Sequence, residues 1–171
     1  MILGISVAAF TMLHVLISLV GIASGFIVLL GMLRGRYDRG WTTIFLLTTI
    51  LTSATGFLFH SKFGPPHVIG VISLAVLAVS LIALYGRRLR GSWRWIYVVS
   101  AVLALYLNAF VGVVQTFQKV AFFHSLAPTQ SEPPFAIAQG LVLVAFVALG
   151  ILAGRRFHPQ QQMISGQLTP G

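Results

Sequence analysis

Four of the five histidines, His14, His60, His67 and His124, fall on one side of the membrane that the charge pattern implies. Imidazole nitrogen is the donor that suits zinc, copper, iron or nickel. His60 and His67 flank the turn Ser61-Lys62-Phe63-Gly64-Pro65-Pro66, whose Gly-Pro-Pro ends one helix and begins the next. Packed antiparallel helices lie about 8–10 Å apart, so these two imidazoles can converge on one ion. His14 would complete a three-nitrogen set with an open position, and His124 is a possible fourth ligand. A haem b would instead take two histidines on opposite faces of the porphyrin, His14 with His60 or His67. A second set, Asn108, Gln115, Lys119, Glu132 and Gln139, suits a small polar or anionic ligand, because polar groups inside a membrane often mark binding or transport paths. The plainer alternatives are interfacial histidines without a ligand, and hydroxyls and glycines that only pack helices.

The elements that must position these groups are transmembrane helices. Of the 171 residues 57% are hydrophobic and 8% charged, against roughly a quarter charged in a soluble domain. The expected fold is all-α, a polytopic bundle of five spans near Ser6–Leu33, Trp41–His60, Pro66–Tyr85, Trp93–Phe117 and Pro134–Ala153, each near the 20 or so residues that cross a bilayer. Residues 1–154 form the membrane domain and 155–171 a cytoplasmic tail, polar from His158 onward and expected to be disordered. With no cysteine and only two acids, Asp38 and Glu132, the chain has no disulfide, thiol redox centre, carboxylate-pair catalysis or Ser-His-Asp set. No phosphate-binding glycine loop occurs.

At 1.5 Å per residue, His14, His60 and His67 all lie about 28 Å from the arginine-rich boundary, Gln115 at about 33 Å and Gln139 at about 21 Å. The faces agree as well. His14, Ser18, Gly21 and Gly25 share one helical stripe; so do Thr49, Ser53, Gly56 and His60, and again Asn108, Gly112, Gln115 and Lys119. These three stripes are expected to meet inside the bundle.

Arginine placement sets orientation. Arg34, Arg36 and Arg39 fill the first loop, Arg87, Arg88, Arg90 and Arg94 surround the third, and Arg155 and Arg156 follow the last span. These regions are expected to be cytoplasmic, giving N-terminus out and C-terminus in, with the histidine layer outward. The net charge of +9 is therefore read as a topology signal, with binding of nucleic acid or acidic lipid only a minor alternative and no nucleic-acid partner expected. Tyr37, Trp41, Trp93, Trp95 and Tyr97 sit beside the arginines as interfacial anchors. The 118–133 outer loop is long enough to carry function or to order itself.

The segments Pro66–Leu74 (PHVIGVISL), Ser92–Val98 (SWRWIYV), Leu105–Val111 (LYLNAFV) and Ala127–Phe135 (APTQSEPPF) resemble a group of small uncharacterised bacterial polytopic inner-membrane proteins. The resemblance covers most of His14–Gly150. It implies a bacterial inner membrane and marks His67, Asn108, Gln115, Lys119, Gln130 and Glu132. Three functions are expected from the residues: a metal (copper, zinc or iron) or haem b site for electron transfer or cofactor handling, a small-molecule binding or transport protein, or a helper subunit docked on a larger membrane complex. The partners are the lipid bilayer and either a membrane protein or further copies of the chain.

Overall fold

The computed structural model describes Gly4 and residues 6–59 and 64–159; His60, Lys62 and the tail beyond residue 159 lie outside the described residues. The helices are α1 (Val7–Leu33), α2 (Arg39–Gly56), α3 (Pro65–Leu81), α4 (Trp93–Lys119), α5 (Ala121–Leu126) and α6 (Pro133–Arg156), with no strand among the described residues. All but the short α5 belong to segments long and apolar enough to cross a membrane, so five spans stand where the sequence places them.

Local chemistry sets the ends. The Ser6 hydroxyl accepts from the Ala9 N–H at 3.2 Å, and the Asp38 carboxylate from the Trp41 N–H at 3.0 Å, each supplying an acceptor to a helix start that has none of its own. Helix α2 stops four residues short of the expected end at His60, and Phe57–Phe59 tightens into a 3-10 turn. Helix α3 closes on a wider π turn, Ile82–Gly86, with Arg87 N–H bonded to the Ile82 carbonyl at 2.8 Å. Arg88 and Leu89 then take left-handed backbone angles, φ 49° and 56°, that reverse the chain. The 118–133 segment is not an open loop, since it contains α5 between Phe117 and the α6 start. At the other end α6 continues to Arg156, and Phe157 is wholly buried, so the packed domain reaches past Gly154.

Helix α4 is the centre. It packs against α1, α3, α5 and α6, and more lightly against α2; α1 also pairs with α2 and α6, and α2 with α3. Between lipid-facing helices there is little hydrophobic drive to associate, so close approach at small residues and hydrogen bonds must hold them. Two Gly-xxx-Gly pairs provide the approach. A Cβ on Gly25 of α1 would stand 2.5 Å from Leu105 and 2.9 Å from Phe45; on Gly154 of α6 it would stand 2.0 Å from the Trp95 ring, and on Gly150 3.3 Å from Val102. Arg94 of α4 locks the same contact by donating to the Gly154 carbonyl at 3.4 Å and to the Phe157 carbonyl, capping the end of α6.

The dense core lies in the arginine half, around Leu29, Met32, Phe45, Tyr97, Val98, Leu105 and Phe157. In the histidine half the bundle leaves much of α1 uncovered: Met12 and Leu16 are 67% and 53% exposed. Replacing Gly154 with alanine should lower stability by about 1–3 kcal/mol through overpacking against Trp95. Gly140→Ala, whose Cβ meets nothing within 4 Å, should be neutral or gain up to about 1 kcal/mol. Thermal unfolding of both variants in one mild detergent distinguishes them; equal behaviour would count against the close α4–α6 contact.

Candidate functional site

The histidine end gathers side chains from α1, α2 and α4. His14 Nδ1 lies 2.8 Å from the Thr55 hydroxyl, and that hydroxyl also donates to its own helix at the Leu51 carbonyl, 2.7 Å away. A hydroxyl has one proton. That proton serves either the carbonyl or His14, so the pair occupies Nδ1 and leaves Nε2, as donor or acceptor, for a further partner. The ring stands edge-on to Phe59 at 5.0 Å, and Phe10 packs on the same phenyl ring. Gly56 keeps the backbone of α2 close, where a Cβ would stand 3.9 Å from His14 Cε1. Lys119 at the end of α4 lies within electrostatic reach of His14, and both Lys119 and Gln115 are exposed.

One level deeper the buried Asn108 of α4 donates from Nδ2 to the Thr49 hydroxyl of α2 at 3.3 Å. Gly21 of α1 closes this node, since a Cβ there would stand 3.3 Å from Asn108 Nδ2 and 3.3 Å from Thr48 Oγ1. The Thr52 hydroxyl, three residues from Thr55, is buried without a hydrogen-bond partner among the described residues. An orphaned buried hydroxyl costs about 1–3 kcal/mol, so a group that reached it would be welcome. Two further polar pairs hold α3: Ser53 with Ser73 at 3.0 Å and Ser80 with Ser100 at 2.9 Å, both buried. They stitch helices together and leave no hydroxyl pointing to a ligand.

The predicted residues therefore separate. His14, Asn108 and Lys119 belong to the α1–α2–α4 cluster, with Gln115 on its exposed side. His67 is buried at the start of α3, where its Nδ1 accepts from the Gly64 N–H at 3.2 Å and its ring packs on Phe57, so it serves as a helix cap. His124 is exposed in α5. Gln139 lies at the α4–α6 contact, donating to the Phe110 carbonyl at 3.2 Å while its buried Oε1 has no partner among the described residues. Glu132 accepts from the Thr129 N–H and hydroxyl and from the Ser131 N–H. Partial desolvation raises its carboxyl, but those hydrogen bonds together outweigh it and hold Glu132 below the usual carboxylate range. Gln130 takes φ 60° in the same turn, which orders the segment before α6.

Among the described residues no three His, Cys, Asp or Glu side chains gather as a metal-holding group; His60 lies outside those residues. Sequence reasoning missed Thr55 and Thr52. The signal was present: Thr48, Thr52 and Thr55 follow i, i+4, i+7, a second polar stripe beside the Thr49-Ser53-Gly56 one.

A double-mutant cycle of Asn108→Leu with Thr49→Val should show a coupling of about 0.6 kcal/mol and at most about 1.7 kcal/mol, the range of interhelical hydrogen bonds in membranes. Additive losses in thermal unfolding would mean that the two side chains act independently. Protein-family models, curated proteins and solved structures were each compared with the chain, and none matches it.

Proposed function

We propose that the chain is a multi-pass bacterial inner-membrane binding protein, N-terminus out, that takes a small anionic molecule at its outward histidine end. The observation that carries this reading is the His14–Thr55 pair, because it occupies Nδ1 and leaves Nε2 in a half-buried setting within electrostatic reach of the Lys119 ammonium. Such a pair of groups asks for a ligand with a hydrogen-bonding group for Nε2 and a negative charge for Lys119. Small hydroxy- and amino-carboxylates have both. Gln115 offers a donor and an acceptor at the rim, and the unpartnered Thr52 hydroxyl lies deeper on the same helix face as Thr55. The dense core fills the arginine half and leaves the histidine end outside it.

The metal or haem reading receives less support from the same geometry. The described residues hold no three-ligand group, and His67 is engaged at the start of α3.

Orientation follows from arginines at one end and is testable without background labelling, since the chain has no cysteine. Ser125→Cys should react with a membrane-impermeant maleimide on intact spheroplasts, and Ser92→Cys only after permeabilisation. The reverse pattern would overturn N-terminus out.

For the ligand, the unfolding temperature of the purified protein would be followed with glycolate, lactate, glycine and alanine, each beside its methyl ester. At tenfold over Kd a bound acid should stabilise by about 1.4 kcal/mol. The esters should do little, and Lys119→Ala or His14→Phe should abolish the effect. No stabilisation by any acid over its ester, or an effect that survives both substitutions, would sink this reading.

A further inference from the structure

A groove of about 470 Å³ runs along the lipid-facing side of α3 and α4, walled by Val76 and Val79 on one helix and Trp95, Ile96, Val99 and Leu103 on the other. It follows α4 from Trp95 to Leu103, a rise of about 12 Å. The lining is apolar except for Ser100, whose hydroxyl is turned away to Ser80 at 2.9 Å and to the Ile96 carbonyl at 2.7 Å. An occupant therefore finds no hydrogen bond along the groove and must be a hydrocarbon chain there. At the Trp95 end the chemistry changes within a turn of helix. Trp93 carries the Arg87 guanidinium at 5.0 Å from its ring centroid, and Arg88 and Arg90 stand exposed in the turn that leads into α4. Arg94 is not available, being spent on the carbonyls at the end of α6.

Among the described residues these three exposed guanidiniums have no carboxylate partner. Of the two acidic side chains, Asp38 caps α2 through Trp41, and Glu132 is tied to Thr129 and Ser131 at the opposite end of the bundle. An anion from outside would balance them. A second copy of the chain packed parallel on the groove is disfavoured by the same count, because it would set nine more arginines beside the first nine with only one Asp38 from each copy at that end to offset them. A molecule with an apolar chain and an anionic head meets both demands.

We propose that the α3–α4 groove is a binding site for an anionic phospholipid, with an acyl chain along Val76, Val99 and Leu103 and the phosphate headgroup at Arg87, Arg88 and Arg90. Trp95 is its hinge, held by Gly154 of α6, so the occupied groove would also brace the α4–α6 contact. The site is separate from the histidine end and holds in whichever leaflet the arginine end lies.

The test is native mass spectrometry of the protein in mild detergent with equimolar phosphatidylglycerol and phosphatidylcholine, a measurement independent of how the chain inserted. One phosphatidylglycerol per chain should be retained in preference. The preference should fall roughly fivefold for each of Arg87, Arg88 and Arg90 changed to alanine. Val99→Trp, at a position already 58% exposed, should fill the groove and remove lipid retention without unfolding the bundle. Equal retention of the two lipids would overturn the proposal, as would phosphatidylglycerol binding unaffected by Val99→Trp. A mass of two chains that Val99→Trp reduces to one would also overturn it, in favour of a second copy.

Discussion

The constraint on which the rest of the structure depends is the closeness with which several helices approach α4. In a bilayer, removing apolar side chains from lipid gains little, so helices stay together only where backbones come near enough for dense packing and short polar contacts. Gly21 and Gly25 bring α1 onto α4, and Gly150 and Gly154 bring α6. The polar contacts then exploit that proximity. Asn108 can reach Thr49 because Gly21 leaves room beside it, and Arg94 can reach the last carbonyls of α6 because Trp95 lies flat where Gly154 has no side chain. Site and scaffold share these contacts: the groups around His14 stand where they do because α1, α2 and α4 are already drawn together one and two turns deeper.

The two ends of the bundle are built for different purposes. The arginine end is closed: Tyr97 and Phe157 are buried against each other, Asp38 and Arg94 cap helices, and Arg87 stacks on Trp93. The histidine end is tied by fewer contacts. Its α1 segment is largely uncovered by the bundle, and beyond α4 it relies on the ring cluster Phe117, Phe123 and Phe135 to fold α5 back. The core thus lies at one end, and the proposed site lies at the other, as binding regions are commonly drawn from the less stable parts of proteins.

Much of this was legible in the sequence for simple reasons. Span number follows from hydropathy and length, and the α1 stripe of His14, Gly21 and Gly25 does face α2 and α4, because 3.6-residue periodicity survives in every helix. Depth was a weaker guide. His14 and His67 match in depth, yet His14 pairs with Thr55 while His67 caps α3, since the Gly-Pro-Pro turn sets where α3 begins and so which neighbour the imidazole meets. Gln139, also near that layer, faces Phe110 at the α4–α6 contact, a choice made by the rotation of α6 that no stripe in its own sequence announces. The helix inside the 118–133 segment was hidden because only six residues form it, and its support comes from Phe117 and Phe135 on either side.

The polar face has a direction that also escapes composition. Hydroxyls on the helices give their protons to carbonyls of the preceding turn: Ser18 to His14, Ser24 to Val20, Thr48 to Ile44, Thr55 to Leu51 and Thr116 to Gly112. Across the helices, the Thr49 hydroxyl of α2 accepts from Asn108 of α4, and Thr55 pairs with His14 of α1. What the cluster leaves unused is the remainder: the His14 Nε2, the Lys119 ammonium and the Gln115 amide. On the proposed reading that remainder is neither a cation cage nor a hydrophobic slot; its chemistry matches a small anion that can also form one hydrogen bond.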